Sequence, residues 1–155
     1  MAAKPLKILN WNARSVRVKK IELVDFIRSH AIDVCILTET HLSPSICFSV
    51  FDYSTIRLDR THSRGGGVAI LIKKGIKFLV LSHSKTNVIE SLGVELETSS
   101  GSLRIYAVYC PRQCVDSNGS SRQFKNDLKK LTRQRSKYII GGDLNARHEL
   151  WRYNH

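Results

Sequence analysis

Apolar positions along this chain come in short blocks whose spacing alternates between the strand period and the helix period. Lys7 to Trp11 reads as a short strand. From Lys19 to Ala31 the spacing turns helical: Leu23, Phe26, Ile27 and Ala31 share one face, flanked by Ile21 and Val24. Val34-Cys35-Ile36-Leu37 is a continuous apolar run that ends in Thr38-Glu39-Thr40, the pattern of a strand covered on both faces. Strand, helix and strand in this order predict a βαβ-like start. Tyr53 to Leu58 alternates as a strand would, and Arg64-Gly65-Gly66-Gly67 forms a turn into a strand at Val68-Ala69-Ile70-Leu71-Ile72. Three further strands are expected at Lys77 to Leu81, Glu90 to Glu97 and Leu103 to Tyr109, the last two joined as a hairpin through Thr98 to Ser102. Residues 113–121 read as a polar loop. Helical spacing returns from Arg122, with Phe124, Leu128 and Leu131 on one face. Tyr138-Ile139-Ile140 then predicts another buried strand, stopped by Gly141-Gly142. The sum is a mixed α/β chain without linker, repeat or low-complexity tract, expected to form one domain over residues 1–155.

Composition narrows the class. With 155 residues, 42% of them hydrophobic and 25% charged, the chain can bury a core, which excludes disorder, a collagen-like repeat and a small disulfide scaffold. No apolar run approaches the ~20 residues that span a bilayer, and Lys7 interrupts any secretory core near the start, so neither membrane insertion nor secretion is expected. The net charge of +12 changes the picture most, because it points to a polyanionic partner: nucleic acid first, an acidic membrane surface second. Between residues 122 and 137, Arg122, Lys125, Lys129, Lys130, Arg133, Arg135 and Lys137 stand against Asp127 alone, which suits either phosphate contact or a plain solvated helix face. Cys35, Cys47, Cys110 and Cys114 lack a regular spacing, which suggests a reducing compartment. Cys110 and Cys114 have a ligand-like gap, but no second Cys or His pair answers them, so zinc is not expected.

Candidate chemistry sits where buried-looking strands end. Asn12 follows the first, Glu39 the second, and Asp143 with Asn145 follows Ile139-Ile140. Ligand sites of α/β proteins gather beyond strand ends. A carboxylate there beside other hard oxygen donors suits Mg²⁺, which takes a few carboxylates and keeps water or phosphate oxygens elsewhere. Glu39 stands out because a charge directly after an apolar strand is costly unless it is paired or ligated. In Gly142-Asp143-Leu144-Asn145 the glycines permit close backbone approach, and Asp143 and Asn145 would point to the same side of an extended segment.

Five segments, in order, resemble the endonuclease/exonuclease/phosphatase superfamily: Leu9-Asn10-Trp11-Asn12, Leu37-Thr38-Glu39-Thr40, Arg64-Gly65-Gly66-Gly67-Val68-Ala69, Tyr106-Ala107-Val108-Tyr109-Cys110-Pro111 and Gly141-Gly142-Asp143-Leu144-Asn145-Ala146-Arg147-His148. The run Asn145 to Trp151, with its His148 and Trp151, looks most like the apurinic-like endonuclease domain of jockey-type non-LTR retrotransposons. The resemblance implies a DNase I-like four-layer α/β sandwich, of which this chain would be the N-terminal, larger part. It implies that Asn12 and Glu39 hold a divalent metal, Mg²⁺ or Mn²⁺, that Tyr109 contacts the scissile phosphate, and that Asp143 orients or deprotonates the attacking water. Asn145 would hydrogen-bond the phosphate oxygens, and Glu39 would belong to the catalytic set as well. The implied reaction nicks one DNA strand to leave a 3′-hydroxyl for a reverse transcriptase, in the nucleus.

The family pattern continues into a further Asp and a Ser-Asp-His, which do not occur after Asn145 here, and His155 lacks the preceding Asp. The reading is therefore a truncated domain carrying the metal half of the site. By the same resemblance the second sheet would come largely from the absent part, leaving an apolar sheet face bare and open to self-association. Arg14, Arg17, Lys19 and Lys20 just beyond Asn12, with Arg64 before the glycines, are the candidate grip on a DNA backbone, although a plain hairpin also accounts for Arg64. His41 reads as a loop residue, and Trp11 and Trp151 as core. Competing readings are a catalytically inactive basic nucleic-acid-binding remnant, an abasic-site repair endonuclease and a lipid phosphatase of the same superfamily.

Overall fold

The computed structural model describes residues 5–61, 63–82, 86–112, 122–133 and 136–145. Ten elements follow one another: β1 (Ile8–Asn12), α1 (Lys20–Ser29), β2 (Val34–Thr38), β3 (Tyr53–Leu58), β4 (Val68–Lys73), β5 (Phe78–Val80), β6 (Glu90–Thr98), β7 (Gly101–Tyr109), α2 (Arg122–Thr132) and β8 (Lys137–Asp143). Each expected strand and helix within the described residues is present. The 113–121 loop, Cys114, Arg135, and the run from Ala146 through His148, Trp151 and His155 lie outside them.

The strands form two four-stranded sheets, ordered β1-β2-β4-β3 and β5-β6-β7-β8. Pairing within the first is parallel between β1 and β2, as a βαβ start requires, and antiparallel elsewhere. In the second sheet β7 and β8 are the parallel pair, with α2 between them in the chain.

Three apolar layers hold these parts together. Val34, Ile36, Val68, Ile70 and Ile72 of the first sheet pack against Leu92, Val94, Leu96, Ile105 and Ala107 of the second. Leu23 and Ile27 of α1 cover the outer face of the first sheet over Cys35, Leu37, Ala69 and Leu71. Phe124 and Leu131 of α2 cover the outer face of the second over Tyr106 and Val108. Helix, sheet, sheet and helix make four layers. All five residues of β2 are buried, because sheet lies on one side of it and helix on the other.

Three expectations change. The second sheet comes from this chain's own β5 to β8, so the inner face of the first sheet, expected to lie bare, is covered. β8, expected to be buried, lies at the sheet edge with β7 as its one partner among the described residues, and Tyr138 and Ile139 are 45% and 38% exposed. On α1, Phe26 and Ile21 stand 41% and 80% exposed, and Ala31 has left the helix in the left-handed region, φ 50°. Leu23 and Ile27 carry the packing there.

Candidate functional site

The site forms where the parallel pairs end. In β1 and β2, Asn12 lies opposite Thr38, so both strands stop at one rim, and Glu39 is the next residue. In the second sheet, Tyr109 lies opposite both Asp143 and Glu90. The two sheets bring these strand ends together because two glycines let β8 come close. A methyl group at Gly141 would lie 2.6 Å from Ile36 Cδ1 and 3.5 Å from Asn10 Oδ1 of the facing sheet. Gly142 has φ 145°, and a side chain there would meet the Val108 carbonyl at 1.8 Å.

The result joins residues 131 positions apart. The Asn12 amide nitrogen donates to Glu39 Oε1 and to Asp143 Oδ2, both at 2.9 Å. It thereby bridges two like charges that would otherwise repel each other across the rim. Asp143 Oδ1 accepts the Asn145 backbone N–H at 2.9 Å, so each oxygen of this carboxylate has a donor and a further lone pair to spare. Asn145 does not continue the strand as expected. It sits in the left-handed region at φ 47°, and this folds its backbone onto Asp143 in a tight turn. Its amide nitrogen donates to the Cys110 carbonyl at 2.9 Å, and its amide oxygen accepts Arg112 Nε at 3.2 Å. Positive φ recurs around the rim, at Arg14, Ser15, Glu39, His41 and Asn145. Such conformations cost energy in side-chain-bearing residues and collect at functional sites.

Tyr109 is half-buried at the same rim. Burial raises its phenol pKa, the negative charge of Glu39 raises it too, Arg60 opposes, and Glu90 and Asp143 add to the rise. The phenol therefore stays a neutral hydrogen-bond donor. The Arg60 guanidinium lies 5.5 Å from the Tyr109 ring and forms an ion pair with Glu90, whose other oxygen accepts the Gly67 N–H at 2.7 Å. Sequence reasoning missed Arg60, Glu90 and Arg112. Glu90 left a trace, a charge opening an apolar strand, but nothing in the sequence pairs it with a residue thirty positions earlier.

Of the expected DNA-gripping residues, Arg14, Arg17 and Arg64 are exposed. The Arg14 backbone N–H donates to Asn12 Oδ1 at 3.3 Å, which places this residue at the rim itself. Lys19 and Lys20 turn elsewhere: their ammonium groups lie over Trp11 at 5.5 Å and Phe48 at 5.6 Å, and both rings pack on the α1 side of the first sheet. His41, read as a loop residue, brings Nε2 to 3.8 Å from Glu39 Oε2.

The donor set suits a hard divalent cation. Glu39 and Asp143 offer carboxylate oxygens and Asn12 an amide oxygen, without sulfur among the three. No cluster of three or more His, Cys, Asp or Glu poised for a metal occurs among the described residues. Asn12 presents nitrogen to both carboxylates, so its amide must turn before its oxygen can act as a ligand.

Comparisons with known proteins place the chain in a family and a fold. The "Probable RNA-directed DNA polymerase from transposon X-element" of Drosophila melanogaster is 34% identical over 149 residues, which covers 95% of this chain and 16% of that protein. The "RNA-directed DNA polymerase from mobile element jockey" of the same organism is 34% identical over 157 residues, covering 97% of this chain and again 16% of the relative. The chain thus spans about one-sixth of the length of the curated relatives it matches. Among solved structures, the "Endonuclease domain of TRAS1, a telomere-specific non-LTR retrotransposon" superposes with a TM-score of 0.74 at 15% identity, covering 96% of this chain and 64% of that one. The AP endonuclease LMAP from Leishmania major superposes with a TM-score of 0.69 at 19% identity, covering 97% and 58%. The fold is DNase I-like. The model of the Endonuclease/Exonuclease/phosphatase family matches residues 9–155, and this chain belongs to that family.

Proposed function

We propose that this chain is a divalent-metal-dependent DNA endonuclease domain of a non-LTR retrotransposon, which nicks target DNA to leave a 3′-hydroxyl for reverse transcription. One observation carries the reading: Asn12, Glu39 and Asp143 meet at 2.9 Å although they come from two different sheets. The transposon polymerases among the relatives support a retrotransposon setting, for which a nuclear location is part of the proposal, and the charge of +12 suits a DNA partner.

Glu39 and Asn12 would hold Mg²⁺ or Mn²⁺. Bound there, the cation would offset the charge that develops on the phosphate. Asp143, fixed by the N–H groups of Asn12 and Asn145, has lone pairs left to take a water proton and aim that water. Tyr109, kept neutral, donates to a phosphate oxygen. Asn145 has one amide hydrogen beyond its bond to Cys110 and can offer it to the same phosphate. Arg14 and Arg17, both exposed, would hold the flanking backbone, and exposed Arg64 would do so before the glycines. The rim's histidine among the described residues is His41, which faces Glu39 and not an aspartate, so slow turnover is expected of this chain alone.

The test is nicking of supercoiled plasmid with Mg²⁺. Open circles should accumulate, chelation should stop them, and Glu39→Ala should slow the reaction by about 10²-fold or more. Nicking unchanged in Glu39→Ala and in Asp143→Ala would overturn the assignment. Duplex binding without any nicking would favour the inactive binding remnant. An abasic duplex cut far faster than an intact one would favour a repair enzyme.

A further inference from the structure

The two outer helices of this sandwich differ in charge in a way the residue count conceals. α1 is balanced, with Lys20 and Arg28 against Glu22 and Asp25, all on its exposed surface. α2 has one acidic residue, Asp127, and the structure turns it inward, with its side chain fully buried. There Asp127 Oδ2 accepts the backbone N–H groups of Asn87, Val88 and Ile89 at 2.7, 2.9 and 3.4 Å, and Oδ1 accepts Lys130 Nζ at 3.2 Å. The outward surface of α2 therefore presents Arg122, Lys125, Lys129 and Lys130 with only Gln123 and Asn126 between them, and no carboxylate.

Their spacing is ordered. At about 100° per residue, Arg122, Lys125 and Lys129 fall within ~60° of one another, nearly opposite the buried Phe124, Asp127 and Leu131. At ~1.5 Å per residue they stand about 4.5 and 6 Å apart along the axis, and exposed Arg133 follows just past the last turn. A DNA duplex carries one phosphate charge per ~1.7 Å of its own axis, so a row of this length meets several phosphates at once. An acidic membrane fits less well. An interfacial helix needs an apolar face for the lipid, and the apolar residues of α2 are engaged with the second sheet.

We infer that the Arg122–Lys125–Lys129 row is a second, sequence-independent DNA-binding surface, on the outer layer of the second sheet and apart from the Asn12 rim. It would hold duplex some distance from the nicked bond. The inference rests on charge placement and stands whether or not the rim proves catalytic.

Binding of a fluorescent 30-base-pair duplex, measured by anisotropy in metal-free buffer across a salt series, tests it. The double variant Lys125→Gln/Lys129→Gln should bind about tenfold more weakly at low salt, and the slope of log affinity against log salt should fall by about 2. Lys125→Arg/Lys129→Arg should restore both. Arg28→Gln on the balanced helix should leave the slope as it is, and a failure of the nuclease reading is seen separately in the plasmid assay. An unchanged slope in the double variant, with its circular dichroism spectrum intact, would overturn the inference. So would a loss confined to phosphatidylserine vesicles with duplex binding preserved.

Discussion

Asp127 is where α2 is fastened to the body of the protein. Its carboxylate is fully buried, and three consecutive backbone N–H groups of the segment before β6 converge on one of its oxygens. Burial alone would raise its pKa, but the donors Val88, Asn87, Lys130 and Ile89 outweigh burial and hold it below the usual 3.8. Asp127→Ala would orphan two well-made N–H bonds and one long one, and would leave a gap beneath the helix. A buried group that loses its partner costs about 1–3 kcal/mol, so the variant should lose ~3–5 kcal/mol. Asp127→Asn keeps one acceptor for the backbone and loses the charge facing Lys130, a smaller cost of ~1–3 kcal/mol. Urea titration with a folding probe on Trp fluorescence reads both. The pH dependence follows from the sign of the shift. A pKa lowered in the folded state means that this stability is fully present above 3.8 and is lost as pH falls through the folded value. The gap between wild type and Asp127→Asn should therefore narrow on acidification. A gap that stays constant from neutrality to strongly acidic pH, or an Asp127→Ala cost below ~1 kcal/mol, would refute the reasoning.

Other outcomes follow from single contacts. Gly142→Ala drives a methyl group into the Val108 carbonyl and should cost more than ~3 kcal/mol, visible as a large fall in Tm; a fall of only a few degrees would mean that β8 shifts freely. Arg60→Met removes a cation that holds the Tyr109 pKa down, so the phenol should titrate at higher pH in ultraviolet difference spectra referenced to Tyr109→Phe. Cys35 is buried and its thiol is pushed up to about 12, whereas Cys47 is exposed, so maleimide should label Cys47 in the native protein and leave Cys35 untouched until denaturant is added.

The chain announced its strands because β2 and β4 are apolar throughout and their ends change abruptly to polar residues. Asn12, Glu39 and Asp143 were legible for the same reason: each is a carboxylate or amide where an apolar run ends, although of the three strands only β2 is buried throughout. Less could be read where the answer depends on what lies beside an element. β8 has the residues of a buried strand, yet its place at the sheet edge leaves Tyr138 and Ile139 in water. Asp127 looked like one more surface charge within a basic helix until three backbone donors claimed it. The Arg60–Glu90 pair at Tyr109 joins a residue after β3 to the first residue of β6, neighbours only after the two sheets have docked. Asn145 broke the period-two expectation because its left-handed backbone serves the Asp143 carboxylate rather than the strand.

The bond from Asn12 to Asp143 closes a loop of almost the entire described chain. Neither sheet can form it alone, and no local stretch of sequence encourages it, so loop-closure entropy places it late in folding, after both halves have docked through their shared interior. A protein built this way withholds the Asn12–Asp143 contact from every partly assembled form. Under the proposed function, a nascent or damaged copy would have intact strands and helices and still lack the rim needed to cut, which would guard a genome against a half-made nuclease.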